Sequence, residues 1–84
     1  MTDTTPSFPH DGRPELREFI AQTLEQIAVY SRVGADFAWL ANDAGIRASL
    51  KSISACLRVS VETLKELEAR NEAVKTAEKI GDAA

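Results

Sequence analysis

Apolar residues recur at three- and four-residue steps through the first half of the chain, which is the spacing of one face of a helix. The pattern starts after Pro14, a residue that suits a first helical turn because its missing N–H costs nothing there. Asp11 is close enough to cap that turn, and Gly34 is a natural stop. The sequence therefore predicts a first helix over about residues 14–33. Its inward face consists of Leu16, Phe19, Ile20, Leu24, Ile27 and Ser31.

A shift in the apolar phase after this helix predicts a separate, short helix over about residues 35–44. Asn42 to Gly45 is typical of a helix end, where Gly45 adopts the left-handed conformation. Trp39 lies off the apolar line. We expect it to cover a core edge rather than to mark a contact surface, because a lone Trp in a small domain usually serves packing. The apolar face of the short helix holds Phe37, Leu40, Ala41 and Ala44.

The longest pattern begins at Ile46 and alternates steps of four and three as far as Glu78. No proline or glycine interrupts it before Gly81, so we predict a long heptad-patterned helix over about residues 46–80. A break near residues 58–60 is the alternative, because β-branched neighbours weaken a helix and a serine can cap a new one. The heptad positions are Ile46, Leu50, Ile53, Leu57, Ser60, Leu64, Leu67, Asn71, Val74 and Glu78.

These elements predict one all-α domain over residues 13–81, folded as a helical hairpin or a small three-helix bundle with a long C-terminal heptad-patterned helix. Residues 1–12 contain almost nothing apolar and are predicted to form a disordered tail. Within that tail, residues 7–10 as a short docking motif are the lesser alternative. Residues 82–84 are predicted to be a frayed end.

Composition indicates the cellular compartment in which this domain is expected. The chain has 84 residues and one cysteine, so no internal disulfide is possible and a reducing, cytoplasmic environment is expected. No basic stretch followed by an apolar core stands at the N-terminus, so no signal peptide is expected. No apolar run approaches the roughly 20 residues that a membrane span needs.

Candidate catalytic and metal-binding residues are few. The one histidine, His10, lies in the predicted tail, where nothing would hold it beside a nucleophile. Cys56 lies on an apolar face, where a packed thiol is expected, and one His with one Cys makes no recognisable zinc spacing. The glutamates of the long helix form ordinary surface pairs, such as Glu66 with Arg70. We therefore predict no enzyme activity, no metal and no cofactor.

Residues 50–68, LKSISACLRVSVETLKELE, carry a local resemblance. The stretch resembles the helix-turn-helix of MerR-type transcription regulators, with residues 58–60 as the turn. That resemblance implies a small DNA-binding regulator, in which the second helix contacts the duplex. The DNA-contacting residues would then be Arg58, Ser60, Glu62, Thr63 and Lys65.

Charge favours a different function. The second helix of that motif, residues 61–72, holds four glutamates against one Lys and one Arg, and the net charge of the chain is −3. Phosphate contact requires the opposite balance. We therefore favour a protein–protein interaction or self-association module that acts through the apolar heptad face, with a second copy or another helical protein as partner. The predicted interface residues are Leu57, Leu64, Leu67, Asn71 and Val74.

Overall fold

The computed structural model describes residues 11–83, which form two helices. Helix α1 spans Arg13–Trp39 and helix α2 spans Asp43–Ala83. The two pack side by side and antiparallel, joined by a turn at residues 40–42. The all-α prediction is confirmed, and of its two forms the helical hairpin is the one observed. Most of the predicted tail, residues 1–10, lies outside the described residues, as does residue 84.

Helix α1 begins one residue before the predicted start. The Asp11 carboxylate accepts a hydrogen bond from the Arg13 backbone N–H at 3.0 Å, and Pro14 occupies the first turn. Gly12 has a φ of 75°, a left-handed conformation that glycine adopts without cost. The sequence places Asp11 and Gly12 in the tail, yet the Asp11 carbonyl accepts a 2.6 Å hydrogen bond from Arg70 of α2.

The predicted stop at Gly34 and the separate helix over 35–44 are not observed. Helix α1 runs through Gly34 to Trp39. A Cβ at this glycine would lie 3.0 Å from Cβ of Ser49, so α1 and α2 come close together at this point. A glycine inside a helix costs only about 1 kcal/mol relative to alanine. Contact with α2 therefore offsets the cost of a glycine inside α1. The sequence pattern contains no sign of this contact, so it predicts a helix end at Gly34.

The turn between the helices also differs from its prediction. Ala41 takes the left-handed conformation, with a φ of 55°, whereas Gly45 lies inside α2. Asn42 caps the start of α2, because its Oδ1 accepts a hydrogen bond from the Gly45 backbone N–H at 2.9 Å. A capping asparagine marks a helix beginning as well as an end, which explains the error. Glycine serves a different purpose at position 45, since a Cβ there would overlap the ring of Phe37.

The contact between the helices is a seam of residues that are buried or half-buried. Positions on the seam recur at three- and four-residue steps along both helices. On α1 they are Arg13, Leu16, Ile20, Thr23, Ile27, Tyr30, Gly34 and Phe37. On α2 they include Ile46, Ser49, Ile53, Cys56, Ser60, Thr63, Leu67 and Arg70.

Polar contacts fix the register of this seam. The hydroxyls of Thr23 and Ser60 lie 2.6 Å apart, and Arg13 donates a 3.2 Å hydrogen bond to the side-chain carbonyl of Asn71. Because Arg13 begins α1, the last twelve residues of α2 extend beyond it, over about 18 Å at 1.5 Å per residue. In the described part of the chain this overhang has no neighbouring helix along its length.

A two-helix layer encloses very little. Within the described residues, the buried set contains only Leu67, Ser49 and Ser60, and no side chain is completely enclosed. The radius of gyration is 19.5 Å, against about 12 Å for a compact domain of this length. Two of the three buried residues are serines, so the hairpin gains little of the apolar burial that usually stabilises a fold.

Candidate functional site

Helix α2 is continuous at the residues that the helix-turn-helix interpretation assigns to a turn. Residues 58–60 are helical, and Ser60 is buried against Thr23 of α1. Thr63 donates to the Val59 carbonyl one turn earlier, and Lys65 pairs with Glu62 at 3.2 Å. Arg58 lies exposed on the helix surface. Of the five residues assigned to DNA contact, Ser60 and Thr63 therefore lie on the side of α2 that packs against α1. Arg58, Glu62 and Lys65 share an exposed face of the helix.

The predicted interface residues fall into two groups. Leu67 is the most buried apolar residue of the hairpin, at 7% exposure. Asn71 and Val74 are half-buried, and Asn71 accepts the hydrogen bond from Arg13. These three belong to the contact with α1 or lie beside it. Leu57 and Leu64 are exposed instead, so they alone of the predicted set are open to a partner.

A row of three leucines continues this exposed group along α2. Leu50, Leu57 and Leu64 are 57%, 51% and 44% exposed. They are seven residues apart, which is close to two full helical turns, so their side chains lie in one line. We call these three residues the leucine stripe. Leu50 belongs to the heptad pattern but not to the predicted interface. Its spacing of seven residues from Leu57 is the sequence signal that could have included it.

Helix α1 adds apolar surface on the same side of the hairpin. Leu24 lies four residues after the seam residue Ile20, as Leu57 lies four residues after the seam residue Ile53. In an antiparallel pair, positions with the same offset flank the same side of the seam. Leu24, which is exposed, therefore extends the leucine stripe onto α1. The neighbouring outward row of α1 consists of alanines, namely Ala21, Ala28 and Ala35.

Charge along α2 changes sign across the stripe. Residues 44–61 contain Arg47, Lys51 and Arg58 and no acidic residue, whereas residues 62–72 contain four glutamates against two basic residues. A shallow depression next to Leu50 is lined by this basic group together with Ser54 and with Asp43, the first residue of α2. Apart from Asp43, the surface that flanks the leucine stripe is thus basic near the turn of the hairpin and acidic towards its open end.

The sequence predicts that Trp39 covers a core edge, and this prediction is wrong. It is 89% exposed and stands with the exposed Leu40 at the turn of the hairpin. The reason is that Trp39 lies in α1 two positions after the seam residue Phe37, about 200° around the helix, so it is on the side of α1 away from α2.

The remaining chemistry of the described residues is sparse. Cys56 is a free thiol, half-buried in the seam. Residues 11–83 contain no group of three or more His, Cys, Asp or Glu side chains that could hold a metal ion. Neither α1 nor α2 has an apolar stretch long enough to cross a membrane. Among the exposed apolar side chains, the leucine stripe is the row that we consider as a candidate site, because its three residues are regularly spaced along one helix.

Comparisons with protein-family models, with curated proteins and with solved structures found no match to the chain.

Proposed function

We propose that the chain is a non-enzymatic helical interaction module, which docks a helical partner on the leucine stripe of α2. In this proposal the heptad pattern of α2 serves two contacts. The seam residues among its positions hold α1, and the leucines between them hold the partner. The partner is a second copy or another helical protein, and docking it completes a bundle that two helices leave open.

The observation that carries the proposal is the contrast between a nearly absent core and a regular exposed apolar row. Among the residues that the structure describes, Leu67 is the single buried apolar one, so the hairpin alone has little apolar burial to stabilise it. About half of each stripe leucine is in contact with water, and burying that half contributes about 1 kcal/mol per leucine. Exposed apolar rows of this kind usually mark an interface.

The test is the stability of the hairpin as a monomer. Urea unfolding, followed by circular dichroism at low protein concentration, should give a free energy of unfolding below about 3 kcal/mol, as expected of a chain with so small a core. A monomer that reaches the roughly 5–15 kcal/mol of ordinary domains needs no partner. That result would contradict the proposal whether the partner is a second copy or a different protein.

A further inference from the structure

The leucine stripe has a symmetry that bears on which partner it fits. Leu50 and Leu64 lie seven residues on either side of Leu57. If two copies of α2 pair antiparallel around a twofold axis at Leu57, Leu50 of each copy meets Leu64 of the other, and the two Leu57 side chains meet on the axis. An isologous interface requires this kind of self-complementary surface.

The charges next to the stripe are also arranged symmetrically about Leu57, with a basic residue on one side and an acidic residue at the matching position on the other. Arg47 precedes Leu50 by three residues, and Glu68 follows Leu64 by four, so both lie in the row beside the stripe. In the antiparallel pairing, Arg47 of each copy lies opposite Glu68 of the other. Ser54 and Val61, the two residues between them in this row, also lie opposite each other and carry no charge. The acidic and basic halves of α2 thereby complement one another across two copies.

From these two observations we infer that the partner of the leucine stripe is a second copy of this chain, paired antiparallel about Leu57 to form a four-helix assembly. This inference rests on the proposed function and specifies its partner. The alanine row of α1 lies on the same side as the stripe and lets the two α1 helices approach closely, since alanine side chains are small. The two hairpin turns then lie at opposite ends of the assembly.

Disulfide trapping tests this pairing directly. Single cysteines replace Leu50, Leu57 or Leu64 in a Cys56→Ser background, and each purified protein is oxidised with copper phenanthroline. Leu57→Cys should give a covalent dimer. Leu50→Cys alone and Leu64→Cys alone should not, because like positions are about 21 Å apart along the axis while a disulfide joins Cβ atoms about 4 Å apart. An equimolar mixture of these two variants should give the covalent dimer.

Charge reversal supplies an independent readout. Arg47→Glu and Glu68→Arg should each weaken dimerisation about threefold to tenfold at low salt, and the double variant should restore it, as expected of exposed ion pairs. Self-linking by Leu50→Cys and Leu64→Cys, or a double variant weaker than either single one, would overturn the antiparallel pairing. A chain that stays monomeric at all concentrations would also overturn the inference, while a low unfolding free energy of that monomer would leave the proposed function standing.

Discussion

The close contact between Gly45 and Phe37 leads to an unusual prediction. Alanine usually stabilises a helix interior relative to glycine, but at position 45 it should lower the free energy of unfolding. A Cβ at position 45 would lie 2.5 Å from one ring carbon of Phe37 and 2.7 Å from another. Real Cβ atoms do not approach a ring so closely, so the ring must leave its place. At Gly81, in the same helix, a Cβ would have nothing within 4 Å.

The expected size follows from two opposing effects. Overpacking costs about 1–3 kcal/mol, and the better helix propensity of alanine returns up to about 1 kcal/mol. Gly45→Ala should therefore lower the free energy of unfolding by about 1–2 kcal/mol. Gly81→Ala should raise it by a few tenths of a kcal/mol, since its helix end contributes less than a full interior position.

Urea unfolding at one fixed protein concentration measures both variants, because association changes apparent stability. Phe37→Ala in the Gly45→Ala background provides the decisive control, because it removes every side-chain atom of Phe37 that the new Cβ would meet. If the ring is the obstacle, Gly45→Ala should cost less once the ring is gone, and the double-mutant cycle should show coupling of about 1 kcal/mol. Equal gains from Gly45→Ala and Gly81→Ala, or no coupling to position 37, would refute the reasoning.

Three further sets of substitutions test the turn and the seam, each by urea unfolding. Ala41→Gly should stabilise the hairpin by about 1 kcal/mol, because it relieves a left-handed φ of 55°; a loss of stability would contradict that conformation. Leu67→Glu should unfold the hairpin, whereas Leu64→Glu should leave the monomer helical, because Leu67 is buried and Leu64 is exposed. Thr23→Val should cost about 1 kcal/mol by removing the partner of a buried hydroxyl, and adding Ser60→Ala should restore most of it; additive losses would argue against the pair.

The sequence pattern predicted the fold class and the long C-terminal helix, because apolar spacing depends only on helix geometry. It could not predict that α1 continues through Gly34. That outcome depends on the approach of Ser49 from a distant part of the chain, and local propensity contains no information about such a contact. The left-handed residue is predicted at Gly45 but lies at Ala41. Alanine adopts that conformation here because a tight turn joins two helices that pack against each other, and the local sequence does not show that packing.

The candidate site was predicted in part. Leu57 and Leu64 were among the predicted interface residues, and both are exposed. The same heptad pattern also selected Leu67, which packs against α1. A heptad shows which residues share one broad face of a helix but not how two neighbours divide that face between them. Only the register, set by pairs such as Thr23 with Ser60, separates the residues that hold α1 from those left open.

Sedimentation equilibrium of three proteins tests most directly whether the leucine stripe is the docking surface. They are the wild type, Leu57→Glu and Ala55→Glu. The last adds the same charge two residues away, about 200° around the helix at an exposed position. The wild type and Ala55→Glu should approach twice the chain mass of 9.1 kDa as concentration rises, while Leu57→Glu should remain at 9.1 kDa. Association of Leu57→Glu as strong as that of the wild type would contradict the account.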